Sequence, residues 1–188
     1  MGDSCLRSVV VTLRPSGADH AADREALVAA VASATGVDVA AVRAGRMCPH
    51  CASVSHGRPW ATADGRQVGV SLSRTTGVTG LAVAPGVVGI DVERVSRVAA
   101  APLAVFSPAE VARAGGDAGV LAACWAAKEA VLKRDGRGLR VDPSSVDVDV
   151  DRGVASFEGA EHRVVVVRPQ PDLVLVVAAG GLPVTWGA

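Results

Sequence analysis

Two acidic residues, Asp91 and Glu93, are separated by a single valine in the segment GIDVERV. Their apolar neighbours predict a strand, in which residues two apart point to the same face. Adjacent carboxylates repel each other unless a cation lies between them, and Mg²⁺ binds one or two carboxylates together with phosphate and water. The pair therefore predicts a magnesium site, although a solvated edge strand would carry the same pattern.

A third carboxylate lies in the segment CWAAKEAVLKRDGRGL, which begins at Cys124. On a helix, Trp125, Glu129 and Lys133 are spaced by four residues and share one face. Glu129 and Lys133 also have the order of a helix-stabilising ion pair, and Trp125 alone would be typical of a core residue. By itself the segment is compatible with a surface ion pair or with groups directed at a ligand.

Together, the two segments resemble the signature of the 4′-phosphopantetheinyl transferases, G-x-D-x-E followed about thirty residues later by W-x-x-K-E-x-x-x-K. Other segments are similar to further elements of that family, and the resemblance extends from about Leu27 to Val148. These segments are F-[ST]-x-x-E at Phe106 to Glu110, G-[KR]-G-L at Gly136 to Leu139, G-K-P at Gly57 to Pro59, and the strand before Ser-His-Ser at Val70 to Ser73.

The resemblance implies an α+β fold with two pseudo-symmetric halves, each with antiparallel strands packed against a helix, and an active site between the halves. A chain of 188 residues with strands and helices on both sides of Pro85 looks like a compact two-half monomeric member, resembling the surfactin-synthetase activator. Pro85-Gly86 separates two apolar runs and predicts the boundary. We expect residues 1–85 to form an N-terminal half with the coenzyme A pocket, and residues 86–188 a C-terminal half with the magnesium-binding motifs.

The resemblance also implies a reaction, in which a carrier-protein serine attacks the pantetheine-side phosphorus of coenzyme A and adenosine 3′,5′-bisphosphate leaves. We expect Asp91, Glu93 and Glu129 to bind Mg²⁺ and to face the coenzyme through it. Lys133 and Lys128 are expected to hold pyrophosphate oxygens. Glu129 is the expected base for the serine proton, with Glu93 as the alternative.

Two positions depart from the family's pattern. Arg74 follows Ser73 where the family has a histidine after the serine, and Arg58 replaces the lysine of G-K-P. Because both changes keep a cation, we expect Arg58, Ser73 and Arg74 in the coenzyme A pocket, with the arginines at the 3′-phosphate end. Arg24 is a further candidate phosphate contact, although an arginine on a helix surface is common.

Cys48 and Cys51 have C-x-x-C spacing, and His56 follows closely. Two thiolates and an imidazole could supply three zinc ligands. No second C-x-x-C motif exists, and Cys5 and Cys124 lie on other predicted elements. The alternative is a loop with spare thiols, since similar cysteine-bearing loops precede G-K-P in transferases of this family.

The strands and helices that position these residues can be predicted from hydrophobic periodicity and from capping and turn residues. Helices are predicted at 19–34 and 117–134, with another helix beginning at Ser107-Pro108, and a loop at 44–65. Strands are predicted at 4–13, 67–73, 78–84, 87–93, 146–150, 162–167 and 173–178. Apolar and polar residues alternate only weakly in the last three strands, which predicts that both faces of these strands are buried.

Composition excludes several classes of protein. Basic and acidic residues are equal in number, so the chain lacks the excess of basic charge typical of nucleic-acid binders. No apolar run is long enough for a membrane span, the N-terminus lacks a secretory pattern, and four scattered cysteines fit a reducing cytoplasm. Two other functions stay open: a non-catalytic module that binds carriers or coenzyme A, and a magnesium-dependent phosphohydrolase.

Overall fold

The computed structural model describes residues 6–100 and 103–187. Within these residues the helices are α1 (His20–Thr35), α2 (Val95–Ala99), α3 (Pro108–Ala114) and α4 (Ala118–Asp135). The strands are β1 (Val9–Pro15), β2 (Val42–Met47), β3 (Arg58–Ala63), β4 (Arg66–Thr75), β5 (Val78–Ala84), β6 (Gly89–Arg94), β7 (Asp147–Asp149), β8 (Val154–Phe157), β9 (Ala160–Gln170), β10 (Leu173–Ala178) and β11 (Val184–Trp186).

The first sheet has the strand order β11-β1-β5-β4-β3-β2. Its neighbouring strands are antiparallel, except that β1 and β11 run parallel. Helix α1 covers one face of this sheet, where Leu27 and Val31 pack with Val42, Val70 and Leu81. This half has the architecture predicted for the N-terminal region, with one strand added from the far end of the chain.

The second sheet has the order β6-β10-β9-β8-β7 and is antiparallel throughout. Helix α4 packs on it through small side chains such as Ala126 and Ala130, which join Val174 and Val176 in one core. The two antiparallel-rich sheets with their helices confirm the predicted α+β class.

The two sheets face each other across a third core. Every second residue of β10 enters that core, including Leu175 and Val177, while the residues between them face α4. Val11 of β1 and Ile90 of β6 belong to the same core. The order of layers is therefore α1, first sheet, second sheet, α4.

The helix ends follow the expected capping chemistry. The Asp19 and Asp117 side chains accept hydrogen bonds from the first turns of α1 and α4, and Gly136 ends α4 in the left-handed region. Ser107 and Glu110 form a reciprocal capping box on α3. These helix boundaries agree with the predicted ones to within a residue or two. None of the helices in the described part of the chain is long and apolar enough to cross a bilayer.

Several predicted elements are wrong in detail. The region 44–65 is not one loop, because β2 and β3 form an antiparallel pair within it. The short elements α2, β8 and β11 were not predicted, and β9 is largely exposed rather than buried on both faces. The first strand begins at Val9 instead of residue 4, and residues 4 and 5 lie outside the described residues.

The boundary at Pro85-Gly86 lies between β5 of the first sheet and β6 of the second. One strand crosses this division, because β11 pairs with β1 and returns the end of the chain to the first sheet. The assignment of 1–85 and 86–188 as two halves therefore remains a prediction, and β11 lies in the first sheet although it follows residue 86 in the chain.

Candidate active site

Strand β6 presents Asp91 and Glu93 to α4. Ile90 and Val92, which alternate with them, belong to the core between the sheets. Strand and helix approach so closely that a Cβ added at Gly89 would lie 1.8 Å from the carbonyl oxygen of Ala130. The glycine of the G-x-D-x-E motif is therefore required by packing, since any side chain there would separate the strand from the helix.

Asp91 is buried and joins three elements. Its Oδ1 accepts hydrogen bonds from Ser73 Oγ of β4 and from Lys133 Nζ of α4, both at 2.6 Å. Its Oδ2 is buried and has no hydrogen-bond partner among the described residues. The two predicted partners of the site, Ser73 and Lys133, thus meet at one carboxylate oxygen and leave the other oxygen open.

Glu93 is held by two donors. Trp125 Nε1 donates to its Oε1 and Arg97 donates to its Oε2, both at 3.1 Å. Burial, and then the neighbouring Asp91 carboxylate, raise the pKa of Glu93 above its ordinary value. Neither donor is among the predicted site residues: the sequence places Trp125 on the helix face of Glu129 and in the W-x-x-K-E motif, and Arg97 lies on a five-residue helix that the sequence does not predict.

Glu129 is the least neutralised carboxylate of the three. It is 7% exposed, and its buried Oε1 has no hydrogen-bond partner among the described residues. Burial, followed by repulsion from Asp91, raises the pKa of Glu129 to about 7. A carboxylate with such a pKa changes its protonation state near neutrality, as a general base must.

The fit to a divalent cation is partial. Asp91 and Glu129 each have an oxygen without a partner among the described residues, and the pKa values of Glu93 and Glu129 are raised. Carboxylates that lack a positive charge between them would show both features. Oxygens of Asp91, Glu93 and Glu129, however, do not form a set within 4.8 Å of one another in the described structure. Asp91 and Glu129 each have an oxygen available to bind the metal. Glu93 would first have to lose its hydrogen bond from Trp125 or from Arg97.

A cavity of about 360 Å³ opens beside this cluster, between the first sheet and the end of α4. All the fully charged side chains that line it are basic, and no carboxylate lies among them. These cationic residues are Arg46, Arg58, Lys133, Arg137 and Arg140. In a chain with no net charge, this concentration of cations is typical of a site for a polyanionic ligand.

Two of the predicted residues line this cavity. Lys133 connects it to the carboxylates through its contact with Asp91, and Arg58 has no ion pair with any described residue. Arg46, Arg137 and Arg140 were not predicted. Of these three arginines, only Arg137 lies in a segment that resembles a family motif, G-[KR]-G-L.

Two arginines predicted to contact phosphate lie elsewhere. Arg74 donates to Asp23 at 3.0 Å and to the Gly17 carbonyl oxygen at 2.8 Å, and it does not line the cationic cavity. Arg24 donates to the Ala44 carbonyl oxygen at 2.9 Å. The buried Asp23 side chain accounts for the orientation of Arg74, and a phosphate contact by Arg74 stays a prediction that would require this ion pair to open.

Lys128 is also displaced from its predicted role. Its side chain is fully buried, 2.9 Å from Glu110 Oε1, and it donates to the Val146 carbonyl oxygen. Glu110 accepts further hydrogen bonds from the backbone N–H groups of Ser107 and Val148. Lys128 therefore belongs to the interior of the second half and cannot reach pyrophosphate in this arrangement.

The cysteine-bearing loop forms one wall of the cavity. Ligand atoms of Cys48, Cys51 and His56 lie within 4.8 Å of one another, and no other cluster of that kind occurs in the described part of the chain. Hydrogen bonds from the backbone of Cys51 and His50 lower the pKa of Cys48 to about 6. Burial raises the pKa of Cys124 to about 12, and that thiol lies in the core of the second half.

Comparison with known families adds one finding. The model of the 4′-phosphopantetheinyl transferase superfamily matches residues 87–164. The match supports membership of that superfamily. It covers less than half of the chain and includes β6 and α4, so the carboxylates and Lys133 lie within it, whereas Arg58, Ser73 and the cysteine-bearing loop lie outside. No curated protein matched the chain.

Proposed function

We propose that the protein transfers the 4′-phosphopantetheine arm of coenzyme A to a serine of an acyl or peptidyl carrier protein and releases adenosine 3′,5′-bisphosphate. One observation carries the proposal: Lys133 joins a cluster of partly unpartnered carboxylates to a cavity whose charged lining is entirely basic. The superfamily match over residues 87–164 supports this type of transfer in general.

The cavity suits the anionic part of coenzyme A. Arg58 and Arg140, from opposite sides of the cavity, would hold phosphate oxygens, since Arg guanidinium groups bind such oxygens with two parallel hydrogen bonds. Arg46 lines the cavity but also contacts Asp23 at 3.4 Å, so it would contribute mainly to the positive field. Lys133 would hold the pyrophosphate, since its ammonium group lies at the border between the cavity and Asp91. Arg137 is already paired with Glu158 and Asp135 and would contribute mainly to the positive field.

The carboxylates would hold magnesium, with Asp91 and Glu129 as the best-fitting ligands and Glu93 as the third. When bound, the ion neutralises charge on the pyrophosphate oxygens and orients them. Ser73 and Lys133 hold Asp91 in place by their hydrogen bonds to its Oδ1, which leaves its Oδ2 for a ligand.

Proton transfer favours Glu129 over Glu93. The serine oxygen forms a bond to phosphorus, the bond from phosphorus to the bridging oxygen breaks, and the serine proton must be accepted. Glu129 has an open oxygen, whereas both oxygens of Glu93 already accept hydrogen bonds. We assign the base to Glu129, and Trp125 and Arg97 position Glu93.

The test is incubation of the protein with coenzyme A, Mg²⁺ and several apo carrier proteins, followed by intact-mass analysis of each carrier. We expect a gain of one phosphopantetheine group, and a decrease in rate of about 10²–10⁴-fold for Glu129→Gln, the usual contribution of a general base. The exposed Glu25→Gln on α1 is the matched control and should keep the parental rate.

Other outcomes identify the alternatives. Coenzyme A binding without a mass gain on any carrier would favour a non-catalytic module. Release of adenosine bisphosphate in the absence of a carrier would favour a phosphohydrolase. A Glu129→Gln variant that loads carriers at the parental rate would overturn the assignment of the base.

We also propose that the active form is a monomer. Both walls of the cavity, β2 to β4 on one side and the end of α4 on the other, come from one chain. Light scattering coupled to size-exclusion chromatography measures the mass directly. Activity confined to a dimeric or trimeric fraction would contradict the proposal.

A further inference from the structure

The loop from Cys48 to Gly57, between β2 and β3, contains a second group of potential metal ligands. The sulfur atoms of Cys48 and Cys51 and a ring nitrogen of His56 lie within 4.8 Å of one another. Cys51 Sγ is 3.6 Å from His56 Nε2. A tetrahedral zinc ion, with Zn–S near 2.3 Å and Zn–N near 2.0–2.1 Å, places sulfur and nitrogen ligands about 3.6 Å apart. The observed separation therefore already equals an edge of a zinc tetrahedron.

The backbone of the loop brings the three side chains together. The Cys48 N–H donates to the Ser53 carbonyl oxygen at 2.9 Å, and the Ala52 N–H donates to the Cys48 carbonyl oxygen at 3.0 Å. Gly57 has φ 104°, and a Cβ there would lie 2.5 Å from the Cα and backbone N of Cys48. Only glycine allows this contact, which returns the neighbouring His56 to the start of the loop.

A hydrogen-bond partner orients the histidine ring. Ser55 Oγ lies 3.4 Å from His56 Nδ1 and 2.8 Å from Ser53 Oγ. Metal-binding histidines usually engage their second nitrogen in such an outer contact, which selects the tautomer that presents the other nitrogen to the metal. In this loop the other nitrogen is Nε2, the atom that faces Cys51.

We propose that Cys48, Cys51 and His56 bind a zinc ion, with solvent in the fourth position. Thiolate and imidazole ligands select zinc among the abundant divalent ions and exclude magnesium, which prefers oxygen. The inference is independent of the proposed transfer reaction, because it concerns another group of residues and another metal.

Zinc bound in this loop would also affect the cationic cavity, because the loop forms part of its wall. Cys48, His50 and Gly57 line the cationic cavity, and Arg58 follows directly at the start of β3. Most of the loop is exposed and has little apolar surface to bury, so packing alone holds it weakly. A zinc ion would tie the two ends of the loop together and hold Arg58 at the edge of the cavity.

The test is metal analysis of the full chain, purified without chelators after expression in zinc-supplemented medium. We expect one zinc ion per chain, and after exchange to Co²⁺ the absorption bands of thiolate-bound tetrahedral cobalt. Competition with a chromophoric chelator should show that Cys51→Ser and His56→Gln each weaken zinc binding at least about 100-fold, since loss of even an outer-shell partner weakens metal sites by 10–100-fold.

Two matched controls separate this site from incidental binding. Cys124→Ala removes a buried thiol outside the loop, and His50→Gln removes a histidine within the loop that is not one of the three ligands. Both variants should keep one zinc ion per chain. Zinc content below one tenth of an equivalent, equal affinity in Cys51→Ser, or a Cys48–Cys51 disulfide in the freshly purified protein would overturn the proposal. Loss of zinc in His50→Gln would overturn the three-residue assignment.

Discussion

Glu93 and Glu129 belong to the same cluster but differ in what their oxygens contact. Both oxygens of Glu93 accept hydrogen bonds, from Trp125 and Arg97, while Glu129 keeps a buried oxygen without a partner among the described residues. The pKa of both groups is raised, mainly because burial disfavours the charged form. The described donors therefore leave one buried oxygen on Asp91 and one on Glu129 open to a cation or a proton.

The pH dependence of stability should report this cluster in the absence of divalent ions. Because the pKa of Glu129 is about 7 in the folded protein and near its ordinary value of 4.5 in the unfolded chain, the folded state binds more protons between these values. The free energy of unfolding should fall as pH rises through that window. We expect Glu129→Gln to reduce the fall, as measured by urea unfolding at about pH 5 and about pH 7.5.

The control for this measurement is Glu25→Gln, which removes an exposed carboxylate of α1 and should leave the slope unchanged. Added Mg²⁺ should stabilise the parent more at the higher pH, where the carboxylates are charged, and should stabilise Glu129→Gln less. An identical pH slope in the parent and in Glu129→Gln would show that Glu129 does not titrate as assigned.

At the scale of elements, the contact between β6 and α4 sets the site. The missing side chain at Gly89 allows the strand to approach the Ala130 carbonyl oxygen, and this approach brings Asp91 within reach of Lys133. Small residues on the facing side of α4 serve the same purpose. The geometry of the carboxylates is thus determined by the packing distance between one strand and one helix.

Substitution of Gly89 tests that distance. In Gly89→Ala the added methyl group would collide with backbone rather than with a movable side chain, so the strand or the helix must shift. We expect a loss of about 1–3 kcal/mol or more in the free energy of unfolding, from urea titration, together with impaired carrier loading. Gly86→Ala, where an added Cβ meets nothing within 4 Å, should stay within about 0.5 kcal/mol of the parent.

Helix α4 carries the only two lysines of the chain, on different sides. Lys133 is partly exposed beside Asp91, and Lys128 is enclosed with Glu110 in the second core. The pattern W-x-x-K-E-x-x-x-K therefore combines a group directed at the site with a group that stabilises the interior. A buried pair of this kind costs most when one partner alone is removed.

Removal of Lys128 should therefore act on stability. We expect Lys128→Met to lose about 3–5 kcal/mol, because the Glu110 carboxylate stays buried without its cation. The double variant Glu110→Gln with Lys128→Met should recover part of that loss in the same urea titration. A stable Lys128→Met protein that fails to bind coenzyme A would instead return Lys128 to the active site.

At the scale of the whole molecule, the two sheets are coupled by the core between them. Leu175 of β10 and Ile90 of β6 pack there with Val11 and Ala82 of the first sheet. Strand β11 adds a second connection, since it follows β10 in the chain and pairs with β1 of the other sheet. We expect the two halves to unfold as one cooperative unit.

Hydrogen exchange measured by mass spectrometry tests this coupling. Leu175→Ala should cost about 2–5 kcal/mol and should lower protection in β5 and in α4 by the same factor, since β5 contributes Ala82 and Ala84 to the shared core and α4 packs on the other face of β10. Val165→Thr, on the partly exposed strand β9, is the control and should change neither region. Loss of protection confined to α4 would show that the halves unfold separately.

The sequence by itself determined the long elements and the identity of the chemical groups. Capping residues and glycine marked the ends of α1 and α4 because they act within a few residues of the chain. Periodicity places Asp91 and Glu93 on one strand face and Glu129 and Lys133 on one helix face, and the resemblance to the transferase signature implied their roles. Strand β11 escaped prediction because it pairs with β1 at the other end of the chain. The elements α2 and β8 escaped because five and four residues carry too little local pattern.

Only the tertiary structure decided what each charged side chain faces. Lys128 matched the family pattern and Arg74 replaced its histidine, yet Asp23 and Glu110 hold these two side chains away from the cavity. Arg46 and Arg140, which the sequence did not single out, enter it. The physical reason is that the carboxylates that pair with Arg74 and Lys128 are brought to them by folding rather than by the neighbouring sequence.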